Sequence, residues 1–176
     1  MGKRIYKKRF FKRKGRWSSN LQYIPNSSII FPASQESIYT LDLCSNPTQD
    51  STRVSQQYTV KNVKFSFQVE TTLEAGFTGI ESLIGYIMFV PQGMTVTVDY
   101  PKYHPEYIMG MRFWGSPEYE NVSIGGIRNP LSITSRLARR LQTGDKIMFI
   151  LYGRNTGSSQ QQVNINGVLR WNTKAN

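Results

Sequence analysis

The sequence predicts an all-β fold, a sandwich or barrel of about eight short strands carried behind a basic N-terminal arm. Three observations lead there. Apolar residues recur with a period of two rather than 3.6, Gly, Pro, Asn and Ser punctuate the chain at short intervals, and positive charge is concentrated in the first 17 residues. Residues 1–17 contain nine basic side chains (Lys3, Arg4, Lys7, Lys8, Arg9, Lys12, Arg13, Lys14 and Arg16) and no carboxylate. The whole chain has a formal charge of +11, so the remaining 159 residues, with 13 basic and 11 acidic side chains, carry only +2. A run of unpaired like charges cannot be desolvated into a core, so the arm is expected to be disordered until a polyanion neutralises it. Tyr6, Phe10, Phe11 and Trp17 lie among the cations. Such flat groups stack on unpaired bases while neighbouring cations hold phosphates, which favours single-stranded nucleic acid. A nuclear-import signal is a compatible second role for the same run.

The division expected is an arm at 1–17 and one domain at 18–176, since about 160 residues build one well-buried core and not two. Tyr39, Leu41 and Leu43 alternate with polar residues after Pro32 and stop at Ser45-Asn46-Pro47, the pattern of a strand ended by a turn. Val63, Phe65, Phe67 and Val69 alternate with Asn62, Lys64, Ser66 and Gln68, giving a strand with one dry and one wet face. Residues 83–90 and 147–152 are apolar on both faces, as expected of central strands covered twice or in contact with a neighbouring subunit. Met109, Met111 and Phe113 read as the core face of another strand or, in the same concentration of Tyr, Met, Phe and Trp over 100–114, as anchors between subunits, the core face being the favoured of the two. Val163, Ile165, Gly167, Leu169 and Trp171 define the last one. Turns are expected at Glu74-Ala-Gly, Pro91-Gln-Gly, Gly115-Ser-Pro, Gly125-Gly126, Arg128-Asn-Pro, Thr143-Gly-Asp and Asn155-Thr-Gly-Ser-Ser. The turn at Gly144-Asp145 reads as a hairpin into the buried strand that follows. Residues 135–141 fit either a helical turn or a strand. Two loops are long, about 45–57 and 91–107, and long loops on such a body usually carry recognition or assembly contacts.

Chemistry is sparsely represented. One cysteine, Cys44, has no partner for an internal disulfide and reads as a filler of apolar space beside Leu41 and Leu43. The single His104 stands in a turn-rich stretch without a Cys or His at metal-ligand spacing, so no metal and no cofactor is expected. No phosphate-binding glycine loop, nucleophile elbow or helical His pair is present, and Glu118 with Glu120 reads as a solvated acidic loop. The expectation is a protein without enzymatic activity. No apolar run approaches the roughly 20 residues of a membrane span, and the basic N-terminus has no apolar segment behind it. Membrane insertion and secretion are therefore not expected.

Several longer motifs resemble a known family. They are Tyr86-Ile-Met-Phe-Val-Pro-Gln-Gly, Tyr100-Pro-Lys-Tyr-His-Pro-Glu-Tyr-Ile-Met-Gly-Met-Arg-Phe-Trp-Gly, Ser135-Arg-Leu-Ala-Arg-Arg-Leu-Gln-Thr-Gly-Asp-Lys-Ile and the ending Gly167-Val-Leu-Arg-Trp-Asn-Thr-Lys-Ala-Asn. Together with the basic arm, they resemble capsid proteins of small circular single-stranded DNA viruses that encode a replication initiator. The resemblance covers most of the chain. It implies a single eight-stranded antiparallel jelly roll, sixty copies in an icosahedral shell around a circular genome, and an arm that faces inward and doubles as a nuclear-import signal. Its implied partners are further copies of the chain, single-stranded DNA (or RNA in recombinant particles) and host import factors. Its implied locations are the virion and, during assembly, the host nucleus. The arm and body are shorter than in circovirus capsids, so loop assignments do not transfer.

Residues follow from these expectations. Nucleic acid is assigned to Lys3, Arg4, Lys7, Lys8, Arg9, Phe10, Phe11, Lys12, Arg13, Lys14 and Arg16, with Arg136, Arg139 and Arg140 as candidates on an inner wall surface. Tyr100, Tyr103, Tyr107 and Trp114 are candidate anchors between subunits, because aromatics in loops commonly fill interface pockets. A fully extended 17-residue arm reaches about 60 Å, enough to enter a small particle. The competing reading is a non-assembling single-stranded nucleic-acid-binding or nuclear-transport protein with a β-barrel body, which would place cations and aromatics on its strands.

Overall fold

A computed structural model of the chain describes residues 16–46, 57–71, 80–114 and 131–175. Among these residues nine strand segments occur in this order: β1 Ser18–Phe31, β2 Gln35–Ser45, β3 Tyr58–Thr71, β4 Ile80–Val90, β5 Ile108–Trp114, β6 Leu131–Ser135, β7 Arg139–Leu141, β8 Lys146–Asn155 and β9 Gln161–Ala175. A one-turn helix, α1 Tyr100–Tyr103, and a 3-10 turn at Pro105–Tyr107 lie between β4 and β5. The strands form two antiparallel sheets. The first runs β1-β9-β3-β6, with β7 also on β3, and the second runs β2-β8-β4-β5. β6 pairs with β3 at Val63–Phe67 and β7 at Tyr58–Val60, so the two are one strand interrupted at residues 136–138. Counted that way, eight strands wind between two four-membered sheets in the order of a jelly roll. The undecided stretch 135–141 is extended, not helical.

Strict alternation holds along most of β3 and β9 and breaks where bulges reset it. Val60 and Val63 are both buried although three residues apart, because an extra residue opposite β9 between Lys61 and Lys64 restores the inward parity. Asn62 sits in that bulge with φ of 53°, a left-handed conformation that Asn tolerates better than most residues. A shift between Ile24 and Ser27 in β1 likewise turns both Ile24 and Ile29 inward. In β5, an irregularity opposite Ile87 and Met88 leaves Met109 buried but sends Met111 and Phe113 outward, each 62% exposed. This corrects the expectation that Met109, Met111 and Phe113 share one core face.

Between the sheets, Phe65, Phe67, Phe149 and Trp114 form an aromatic centre with ring separations of 4.9–5.3 Å, Phe67 meeting Trp114 edge to face at 88°. Gly85 in β4 makes room for it, since a Cβ there would stand 2.4 Å from the Trp114 ring.

The turn at Gly144-Asp145 is not a hairpin. β7 belongs to the first sheet and β8 to the second, so this turn crosses the sandwich. Asp145 holds the corner: its carboxylate accepts the backbone N–H of Gln142 at 2.8 Å and of Gln92 at 3.1 Å. Asn46 N–H donates to the Asp145 carbonyl at 2.9 Å, and Gly144 N–H donates to the Asn46 carbonyl at 2.8 Å. At the opposite end of the sandwich Asn155, fully buried, donates to the carbonyls of Phe31 (3.0 Å) and Ser159 (2.9 Å) and accepts from Gly157 N–H (2.9 Å). Each end is thus closed by a buried polar side chain whose hydrogen bonds are satisfied.

Candidate nucleic-acid and subunit interfaces

The strands of the two sheets differ in charge. Strands of the first sheet contain six basic residues (Lys61, Lys64, Arg139, Arg140, Arg170, Lys174) and one carboxylate, Glu70. Strands of the second contain three of each, Arg112, Lys146 and Arg154 against Glu36, Asp42 and Glu81. The near-neutral body therefore conceals a segregation of charge. Register places Lys64 directly opposite Arg170, and Thr59 between Lys174 on one side and Arg140 on the other. Sequence reasoning missed Lys61, Lys64, Arg170 and Lys174 because a total over 159 residues averages the two sheets. Counting charge strand by strand would have found them.

Of the residues assigned to nucleic acid, Lys3, Arg4, Lys7, Lys8, Arg9, Phe10, Phe11, Lys12, Arg13 and Lys14 lie outside the described residues. Arg16 is exposed where the chain enters β1, and Trp17 beside it stacks under Lys61, whose Nζ is 3.9 Å from the ring centroid. Arg136 and Arg140 are exposed. Arg139 is engaged elsewhere: its Nη2 donates to the Glu106 carbonyl at 2.6 Å and its guanidinium lies 5.6 Å from the Phe89 ring centroid.

Among the described residues, the apolar part of the second sheet's outer face is covered at one end. Residues 91–107 fold over Met88, Val90 and Ile150, adding Val96, Tyr100 and Tyr107 to a small second core. Beyond that cover, Met111 and Phe113 stand exposed beside Ile84 and Tyr86, their cross-strand neighbours on β4. Tyr100 and Trp114, expected as subunit anchors, are instead buried inside the chain, at 3% and 5% exposure, because each fills a core of its own subunit. Tyr107 is half-buried, against Phe89 and stacked on His104. Tyr103 alone of the four is open to solvent, at 67%.

Among the described residues no three His, Cys, Asp or Glu side chains gather as a metal site. Glu118 and Glu120 fall outside those residues. The His104 ring lies between Tyr100 and Tyr107, with Nδ1 3.3 Å from Glu106 Oε1. Cys44 packs against the main core, and burial pushes its thiol up from 9.0 to about 12, opposed by a hydrogen bond with the Ile147 backbone. Tyr58, whose hydroxyl donates to the Ser45 carbonyl, is pushed from 10.0 to about 12, first by burial and then by Cys44 nearby. Because these folded-state values are raised, the stabilisation is fully present below the unfolded values and is lost as pH rises from about 9 towards 12. A maleimide at pH 7.5 is accordingly expected to label native Cys44 at least tenfold more slowly than the denatured chain. Equal rates would contradict the burial.

No protein-family model matches the chain, and no curated protein matches it in sequence. Among solved structures, a chain of turnip yellow mosaic virus is similar with a TM-score of 0.38 and 14% identity, over 93% of this chain and 95% of that one. A chain of maize chlorotic mottle virus matches with a TM-score of 0.35 and 12% identity, over 89% and 93%. A chain of infectious bursal disease virus, Gx strain, has a TM-score of 0.38 and 11% identity over 89% of this chain, which spans only 32% of that longer one. These are loose likenesses of strand layout, and the functional reading rests on the residues of this chain.

Proposed function

We propose that this chain is a viral capsid subunit that assembles with copies of itself into a small closed shell and packages single-stranded nucleic acid through its basic arm. The observation that carries the proposal is the pairing of an arm bearing nine cations with a jelly-roll body whose second sheet exposes Met111 and Phe113 beside the half-buried Ile84 and Tyr86. An enzyme would gather polar and ionisable groups in a concave site. Among the described residues ionisable groups are spread over surfaces, and the exposed apolar side chains suit contact with another protein. The finer reading follows the sequence resemblance: sixty copies, a circular single-stranded DNA genome, and an arm that also directs nuclear import.

A second reading, a non-assembling single-strand-binding protein, is favoured by one observation, the cations on the strands of the first sheet. Electron microscopy of the purified full chain at low salt separates the two. Uniform particles of about 200 Å, a size estimated for sixty 20 kDa sandwiches in a closed shell, with an absorbance ratio showing bound nucleic acid, are expected. A monodisperse monomer that binds single strands would overturn the capsid reading in favour of the second.

A further inference from the structure

We propose that the outer face of the first sheet is a second binding surface for single-stranded nucleic acid, continuous with the arm. This deepens the packaging reading and rests on it. The face carries Lys61, Lys64, Arg140, Arg170 and Lys174, and neither of the two described salt bridges, Lys146–Asp42 and His104–Glu106, involves any of them. Lys64 and Arg170 are direct cross-strand neighbours. Like charges in that position destabilise a sheet, and a bound polyanion converts the repulsion into attraction. The bulge at Asn62 matters here: it puts Lys61 and Lys64, three residues apart, on one face.

The ligand follows from the rest of the surface. Ser66, Gln68 and Asn172 lie among the cations and the exposed Leu21 stands opposite Arg170, so the face can donate hydrogen bonds to phosphates and sugars and, among the described residues, has no base-reading helix or ribbon to place in a groove. Tyr23 is 73% exposed on β1, and Trp17 is held by Lys61 at the same edge, giving two rings for unpaired bases. Arg16 and Trp17, where the basic sequence ends, stand exposed on this edge. From Lys174 to Val168, opposite Tyr23, is six residues, about 20 Å of strand, room for several nucleotides.

The test uses the full chain and a fluorescent oligo(dT), with affinity followed against salt. Replacing Lys64→Gln, Arg170→Gln and Lys174→Gln together is expected to flatten the log–log slope by about 2, at about 0.7 per lost phosphate contact. The paired control Lys102→Gln with Arg154→Gln, exposed cations away from this face, is expected to leave the slope unchanged. Thermal melting confirms that both variants fold. If the triple variant keeps the wild-type slope, or if the control flattens it equally per charge removed, the face is not a binding surface, while a steep wild-type slope would still uphold the arm. If the wild-type chain shows no salt-dependent binding at all, the packaging reading itself fails.

Discussion

Particles assembled from a chain lacking residues 1–16 are expected to contain only a small fraction of the nucleic acid found in full-length particles. The truncation removes all nine arm cations. If each contacts one single-stranded phosphate, the arm alone contributes a log–log salt slope of about −6, so binding by the full chain falls by roughly three to four orders of magnitude between 50 and 200 mM salt. β1 begins at Ser18, beyond the cut, so the sandwich keeps its strands. The measurements are the ratio of absorbance at 260 and 280 nm for purified particles and the salt dependence of oligonucleotide binding. Truncated particles with an undiminished nucleic-acid content would overturn the assignment of packaging to the arm.

Met111→Asp combined with Phe113→Asp is expected to abolish assembly without unfolding the subunit. Both side chains are largely exposed in the single chain, so replacing each should change its stability by about 0.5 kcal/mol, about 1 kcal/mol for the pair. Burying an apolar side chain of this size against a neighbour contributes about 1.5–3 kcal/mol. Losing two of them and introducing two unpaired carboxylates at the contact weakens it by at least a hundredfold, at about 1.4 kcal/mol per factor of ten. A closed shell repeats its contacts in every subunit, so the loss becomes all-or-none. Sedimentation velocity should show monomers or small oligomers with a melting temperature near that of the parent. A normal yield of particles would place the subunit contacts elsewhere, with Tyr103 the next exposed aromatic to test.

The separation of these two surfaces onto opposite sheets was only partly legible in the chain. Alternation over Val63–Val69 and Val163–Trp171 identified β3 and β9, because a half-buried strand has to place every second side chain in water. Doubly apolar residues 83–90 and 147–152 identified β4 and β8, the two inner strands of the second sheet. The same alternation failed at Met111 and Phe113, because an irregularity of pairing in β5 reverses the parity of everything after it, and such an irregularity depends on the partner strand. The turn at Gly144-Asp145 misled for a related reason. Turn chemistry reports that the chain reverses, not which sheet receives it, and here the receiving strand is chosen by Asp145 and Asn46 at the corner.

Aromatic content alone was also a poor guide to exposure. Tyr100, in a Pro-bounded loop, and Trp114, at a strand end, looked like surface anchors, yet each is the largest object available to fill a nearby gap, over Met88 and Ile150 or against Phe67. Local sequence determined the all-β class, most of the strand-forming segments though neither β1 nor the β6–β7 stretch, and the concentration of charge in the arm, because periodicity, turn chemistry and like-charge repulsion act between near neighbours. Only the tertiary structure decided which strands share a sheet, and with that which cations stand side by side and which apolar groups are left uncovered. Those are properties of pairing between residues as distant as Lys64 and Arg170, and no short-range pattern encodes them.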